Sequence, residues 1–292
     1  MRLFHFFNPT MIIKVLLLLA ELGTMYYLYH LLQKESIDIR NMLWYVLNPL
    51  IIIEIMVNVH FEGFMVFFFI MSLYFLKIKA VNKAVVSLAL SISAKLIPLL
   101  FLPFFLFKWK TSKAFSFYIK LALMLSIFFL PMLLQFGEFS ESLDLYFRKF
   151  EFNASFYYVF RALGNLWKGY NMIAKIGPAM AIAVFGIVMI LAYKMENIYK
   201  FSLYALTVFL LLSTTVHPWY LALGVLLSSI VGLRYMLIWS VMIVLSYSKY
   251  GLSDNGYLVC VGLEYAVVFS YIFYEWRRGI MVQESRLPSI RT

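Results

Sequence analysis

One cysteine in 292 residues leaves no partner for an intrachain disulfide. That residue, Cys260, lies in an apolar run. Charged residues make up 13% of the chain, about half the share of a soluble domain. No stretch is polar enough to form a separate soluble unit, which excludes a Rossmann domain for nucleotide sugars. There is no Gly-rich phosphate loop, no cysteine-based metal spacing and no Ser-His-Asp signature. No internal repeat is visible. The start, Met1-Arg2-Leu3-Phe4-His5, does not read as a signal peptide.

What is present is hydrocarbon-compatible. The chain is 64% hydrophobic, with mean hydropathy +0.87. Aromatic residues reach 19%, which supplies Tyr and Trp for both membrane interfaces. A net charge of +11 would suggest nucleic acid in a soluble protein. In a membrane protein, Lys and Arg mark the cytoplasmic loops instead, so no nucleic-acid partner is expected.

Apolar segments and basic clusters together give a topology. Residues 11–33, 42–57 and 64–76 read as the first three spans. Lys77, Lys79 and Lys83 then form a cytoplasmic loop, so the turn around 58–62 faces the other side. Residues 84–107 are apolar, yet Lys108, Lys110 and Lys113 follow them. A single span would put one basic cluster on the wrong side, and Lys95 and Pro98 interrupt the middle. Two short helices, 84–94 and 97–107, are therefore expected as a re-entrant hairpin with both ends cytoplasmic. Residues 115–134, 173–193, 201–216, 221–233, 235–247 and 257–275 complete the spans, with a long polar, aromatic-rich loop at 136–171 lying on the membrane face. The expected fold is all-α: one polytopic transmembrane helical bundle over 1–292, of about eight spans plus the hairpin. The expected location is the cytoplasmic (inner) membrane.

The stretch Asn48-Pro49-Leu50-Ile51-Ile52-Ile53-Glu54-Ile55-Met56-Val57-Asn58-Val59-His60-Phe61-Glu62-Gly63 holds the chemistry. A carboxylate in a membrane helix is costly and points to function. Glu54 and Asn58 share one helix face, and a continuous helix would add Glu62 to it. Lys95, at the hairpin tip, needs an anion: a lipid phosphate, Glu54 or Glu21. Arg161 ends an aromatic run and suits bidentate phosphate binding. His217-Pro218-Trp219-Tyr220 marks a turn that contacts substrate or anchors at the interface. Asn153-Ala154-Ser155 is a glycosylation sequon. A metal ion among His60, Glu62 and His217 is set aside, because two distant histidines carry little information.

Three pieces recur in one order: the stretch above, Lys95-Leu96-Ile97-Pro98-Leu99-Leu100-Phe101-Leu102-Pro103, and His217-Pro218-Trp219-Tyr220. Over roughly residues 10–275 they resemble the GT-C glycosyltransferases, specifically bacterial mannosyltransferase-like proteins related to the GPI mannosyltransferases. The resemblance implies a multi-span enzyme that moves a sugar from a polyprenyl-phosphate carrier to a glycan or lipid acceptor at the non-cytoplasmic face. The lipid-linked sugar is the donor, and no cofactor or metal is expected. Glu62, beside His60, resembles the family's second acidic position, so these two are the catalytic pair. Glu54, Asn58, Lys95, Arg161 and His217 form the substrate-binding set. The family carries an essential Asp in a first outer loop after a leading span, which this sequence does not match. A separate chain supplying that part, and little activity from this chain alone, are the corresponding expectations. The competing class is a non-enzymatic transporter or lipid-carrier flippase. Transport predicts inverted repeats around a midplane site, whereas this polar cluster lies at one face.

Overall fold

Helix α1 (Pro9–Lys34) shows how most of the molecule is built. Leu17, Ala20, Thr24, Leu28 and Leu31 recur every three or four residues and are buried. The opposite side, with Met11, Leu18, Leu19 and Leu22, is equally apolar yet exposed. A helix that is apolar all round and buried on one stripe faces lipid with the rest. The computed structural model describes residues 9–133 and 150–279. These are helical, with one isolated parallel bridge between Phe152 and Thr215.

The expected second span breaks in its middle. A 3-10 turn (Ile39–Met42) runs into α2 (Leu43–Val46), and α3 (Pro49–Ile51) continues as a π-helix over Ile52–Val57. The two halves bend by 47°. Pro49 causes this: it lacks an N–H and pushes the preceding residue out of the helical region. Asn48 is accordingly extended, and its side chain accepts from the Leu50 N–H at 3.0 Å.

Helices α4 (Glu62–Lys77) and α5 (Val81–Ala94) follow as an antiparallel pair. Ser72 Oγ donates to the Ala84 carbonyl at 3.0 Å, and Ser91 Oγ donates to that of Met65 at 2.7 Å. At Lys95 the backbone turns extended, and a 3-10 turn (Ile97–Phe101) leads into α6 (Leu102–Lys108). The break falls where the sequence placed it. Both limbs start or finish beside the first half of α7 (Thr111–Leu133). Lys120 Nζ donates to Asn82 Oδ1 at 2.8 Å, and Tyr118 Oη donates to the Leu102 carbonyl at 2.6 Å. The segment is thus a helical hairpin with its two ends together and Lys95 at its tip.

The loop expected over 136–171 contains a helix, α8 (Phe156–Lys168), closed by Gly169 in the left-handed conformation at φ 75°. Tyr157 and Gly164 face inward, while Val159, Phe160, Leu163, Leu166 and Trp167 are exposed. Residues 136–149 of that expected loop lie outside the described residues. Then come α9 (Ile173–Lys194) and α10 (Ile198–Leu211), followed by a 3-10 turn (Pro218–Leu221) entering α11 (Ala222–Val231). Helix α12 (Tyr235–Met242) continues as a 3-10 helix to Tyr250, and α13 (Asp254–Arg277) closes the bundle. By length and composition α1, α7, α9 and α13 can each cross a membrane, and the bent Ile39–Val57 pair makes a fifth candidate. The other expected spans are shorter helices of the same apolar character.

Candidate functional site

The end of the π-helix builds the first half of the site. The Asn58 N–H bonds the Ile53 carbonyl at 2.9 Å, a wide turn of the kind found at functional positions. Glu54 is carried inward and is only 2% exposed. Its carboxylate accepts from Tyr247 Oη at 2.5 Å and Asn58 Nδ2 at 3.1 Å. His60 Nε2 lies 3.4 Å from Glu54 Oε2. The helix does not persist to Glu62: Val59 adopts φ 63°, a left-handed conformation that is a genuine outlier for a β-branched residue. Such strain costs on the order of 1–3 kcal/mol and is held by its surroundings. Here it reverses the chain so that His60 leaves the helix and Glu62 opens α4.

Glu62 is fully buried. Lys95 Nζ approaches its Oε1 to 3.0 Å, while 38% of the Lys95 side chain remains exposed. The hairpin tip therefore pairs with Glu62, not with Glu54 or Glu21. Glu21 instead accepts from Tyr45 Oη at 3.0 Å.

His217 closes the other side. Trp219 stands between two imidazoles, its ring 3.7 Å from His60 and 4.4 Å from His217, both nearly parallel. His217 also stacks on Phe152 at 4.9 Å. Phe152 is fixed by its bridge to the adjacent strand-like residues: its N–H bonds the Thr214 carbonyl at 3.0 Å and its carbonyl accepts from Val216 at 2.8 Å.

The structure thus gathers Glu54, Asn58, His60, Glu62, Lys95 and His217 at one end of the hairpin. It adds Tyr247, which carries no motif, and Trp219, whose motif was legible as an interfacial turn. Arg161 stands apart, bonded to Glu151 and lying 4.5 Å over the Tyr158 ring. Asn153 is fully buried and hydrogen-bonded, so the sequon is closed to glycosylation in the fold.

Burial, with the charges of His60 and Lys95 adding to it, pushes the His217 imidazole down to about 4. Burial also lowers His60, opposed by Glu62 and Glu54. A depressed histidine is neutral when folded and binds a proton more readily when unfolded. The unfolded state then holds more protons between about pH 6.5 and 4, and stability falls as pH falls through that window. His217→Phe keeps a stacking ring without the titration. Its melting temperature should drop less than the wild type's between pH 7.5 and 5. Parallel losses in both proteins would show that His217 is not buried neutral.

Fold and site define a polytopic membrane helical bundle whose buried carboxylates, ammonium and stacked imidazoles converge at one end. Residues 5–111 match the family model described as alpha-(1->6)-mannopyranosyltransferase, N-terminal domain. The match covers the whole first half of the site, from Glu54 through Lys95, and supports a glycosyltransferase of bacterial mannosyltransferase-like type. Neither the curated proteins nor the solved structures searched gave a match.

Proposed function

We propose that this protein transfers a mannosyl-type sugar from a polyprenyl-phosphate carrier to a glycan or lipid acceptor at the non-cytoplasmic face of the inner membrane. One observation carries the reading. An apolar groove of about 290 Å³, lined by Leu99, Leu100, Pro103, Val184 and Phe209, runs between the second hairpin limb, α9 and α10. Its lining is close in sequence to the cluster: Leu99 lies four residues past Lys95, and Thr214 three before His217. A hydrocarbon chain in the groove would present its phosphate to Lys95. The hairpin supports that choice of face: its basic ends lie ~20 Å from the tip along a 14-residue helix. Basic loops stay cytoplasmic, which favours the opposite side for the cluster.

The chemistry divides between the two halves. Sugar transfer needs a base at the acceptor hydroxyl and a cation at the departing phosphate. Glu54 holds the Nε2 side of His60, which leaves Nδ1 to take the acceptor's proton. The hydroxyl oxygen bonds the anomeric carbon as the carbon–phosphate-oxygen bond breaks, and Lys95 receives the released charge. Glu62, expected as a base, is assigned here as the buried partner that holds Lys95 in place. Asn58 supports Glu54, and Trp219 with His217 offers an aromatic surface for a sugar ring. Arg161 remains a phosphate contact only if it exchanges Glu151 for the ligand.

The test is donor choice. Protein in lipid nanodiscs, together with any separate chain that supplies the family's first outer loop, should transfer labelled mannose from polyprenyl-phosphate mannose to mannoside acceptors. Transfer from a nucleotide sugar with equal efficiency would reject the lipid carrier. Val184→Trp, which fills the groove, should raise KM for the lipid donor about tenfold or more, an apolar-contact loss of ~1.4 kcal/mol.

A further inference from the structure

Glu264 lies in the middle of α13, fully buried, and the site described above does not use it. No cation pairs with it among the described residues. Its Oε1 accepts from Asn153 Nδ2 at 3.1 Å and from Trp239 Nε1 at 2.9 Å. Among the described residues its Oε2 has no partner, and neither does the buried Oδ1 of Asn153. The two unpartnered oxygens therefore belong to the two members of a single hydrogen bond.

Orphaned acceptors are rare in folded proteins and each needs an explanation. Here both would be lone-pair acceptors as long as Glu264 is ionised. An unpaired carboxylate in a low-dielectric interior is also the most expensive form of the side chain. One proton removes both problems. A protonated carboxyl carries an O–H donor, and an amide oxygen is the natural acceptor.

We propose that Glu264 is protonated in the folded protein and that its Oε2–H donates to Asn153 Oδ1. This closes a two-bond carboxylic acid–amide ring. The pair makes Glu264 a positioning residue. Asn153 is held on every side: its N–H donates to Tyr257 Oη at 2.6 Å, and its carbonyl accepts from Tyr265 Oη at 2.7 Å. It sits in the left-handed region at φ 47°, which Asn tolerates better than most residues. The next residue back is Phe152, which bridges to Thr215 and stacks on His217. The chain of contacts runs from α13 through Asn153 and Phe152 to the imidazole. The titratable groups around the ring are the phenols of Tyr257 and Tyr265, with Tyr158 3.3 Å beyond Tyr257. The phenols supply no charge at neutral pH, and the Lys249 ammonium, 5.1 Å over the Tyr257 ring, is paired with Asp254.

The proposal does not depend on which sugar is moved or from what donor, and its test reads the pair directly. Infrared spectra of the full-length protein at neutral pH should show a protonated-carboxyl band that disappears in Glu264→Gln. Glutamine reproduces the neutral acid, with one acceptor and one donor, so Glu264→Gln should melt within a few degrees of the wild type. Glu264→Leu fills the space without the bonds and should melt clearly lower. Mass-spectrometric footprinting adds the positioning readout. Modification of His217 should rise at least about threefold in Glu264→Leu and stay near wild type in Glu264→Gln. Absence of the band from the difference spectrum would overturn the proposal. So would a Glu264→Gln protein that fails to fold or exposes His217 as Glu264→Leu does.

Discussion

Replacing Lys95 with methionine is expected to abolish transfer and to weaken the fold at the same time. Methionine fills a similar volume but leaves the fully buried Glu62 carboxylate without its cation. Breaking a buried pair from one side costs several kcal/mol, because the remaining charge is stranded. Lys95 keeps part of its side chain in contact with solvent, which screens the pair. The expected destabilisation is therefore about 2–3 kcal/mol. Adding Glu62→Gln removes the stranded charge, so the double variant should recover most of the melting temperature. It should not recover transfer, because the phosphate still lacks its cation. Thermal unfolding in detergent and a lipid-donor assay separate the two effects. A stable, active Lys95→Met protein would remove Lys95 from the site, and an active double variant would reduce the pair to structure alone.

The second large effect concerns His60. Phenylalanine there keeps the ring that stacks on Trp219 and deletes the proton acceptor. Loss of a general base typically costs 10²–10⁴ in rate, so kcat should fall by ~10³ with little change in melting temperature. Glu54→Gln keeps an acceptor oxygen for only one of Tyr247 and Asn58, which bond different carboxylate oxygens, and removes the charge that orients His60. A smaller loss of ~10-fold is expected, in kcat and not in KM. A His60→Phe protein within about threefold of wild type would return the base role to another group. Glu62→Gln in an otherwise native chain would then be the next variant to assay.

How far the sequence carries the reader depends on the distance between partners. The hairpin break was legible because Lys95, Pro98 and the two flanking basic clusters sit within one window of the chain. The Glu54–Asn58 contact was legible because four residues make one helical turn. The reversal at Val59 was not, since valine carries no turn signal and its positive φ is imposed by the surroundings. Nor was the pairing of Glu62 with Lys95, because nothing local says which carboxylate meets the tip. Tyr247 reaches Glu54, and Glu264 reaches Asn153, across more than a hundred residues. A lone Tyr or Glu inside an apolar run gives no hint of such a partner. Helix α8 is a different kind of miss. Phe156, Val159, Phe160, Leu163 and Trp167 follow the helical period, but charged residues on both sides give the segment the composition of a loop.

The links between α4 and α5 have a further consequence. Within a lipid phase there is no hydrophobic drive to hold two apolar helices at one relative height. Ridges of Leu, Phe and Val could slip past each other by a turn, ~5.4 Å, with little change in contact. Residues 72 with 84, 65 with 91, and 62 with 95 all lie on one antiparallel register. A slip of one turn would strand two serine hydroxyls and separate a buried ion pair together. The pair of helices therefore acts as a depth gauge. The height of the Lys95 ammonium relative to α4 is set by polar pegs inside the protein, and does not depend on contacts with the surrounding bilayer.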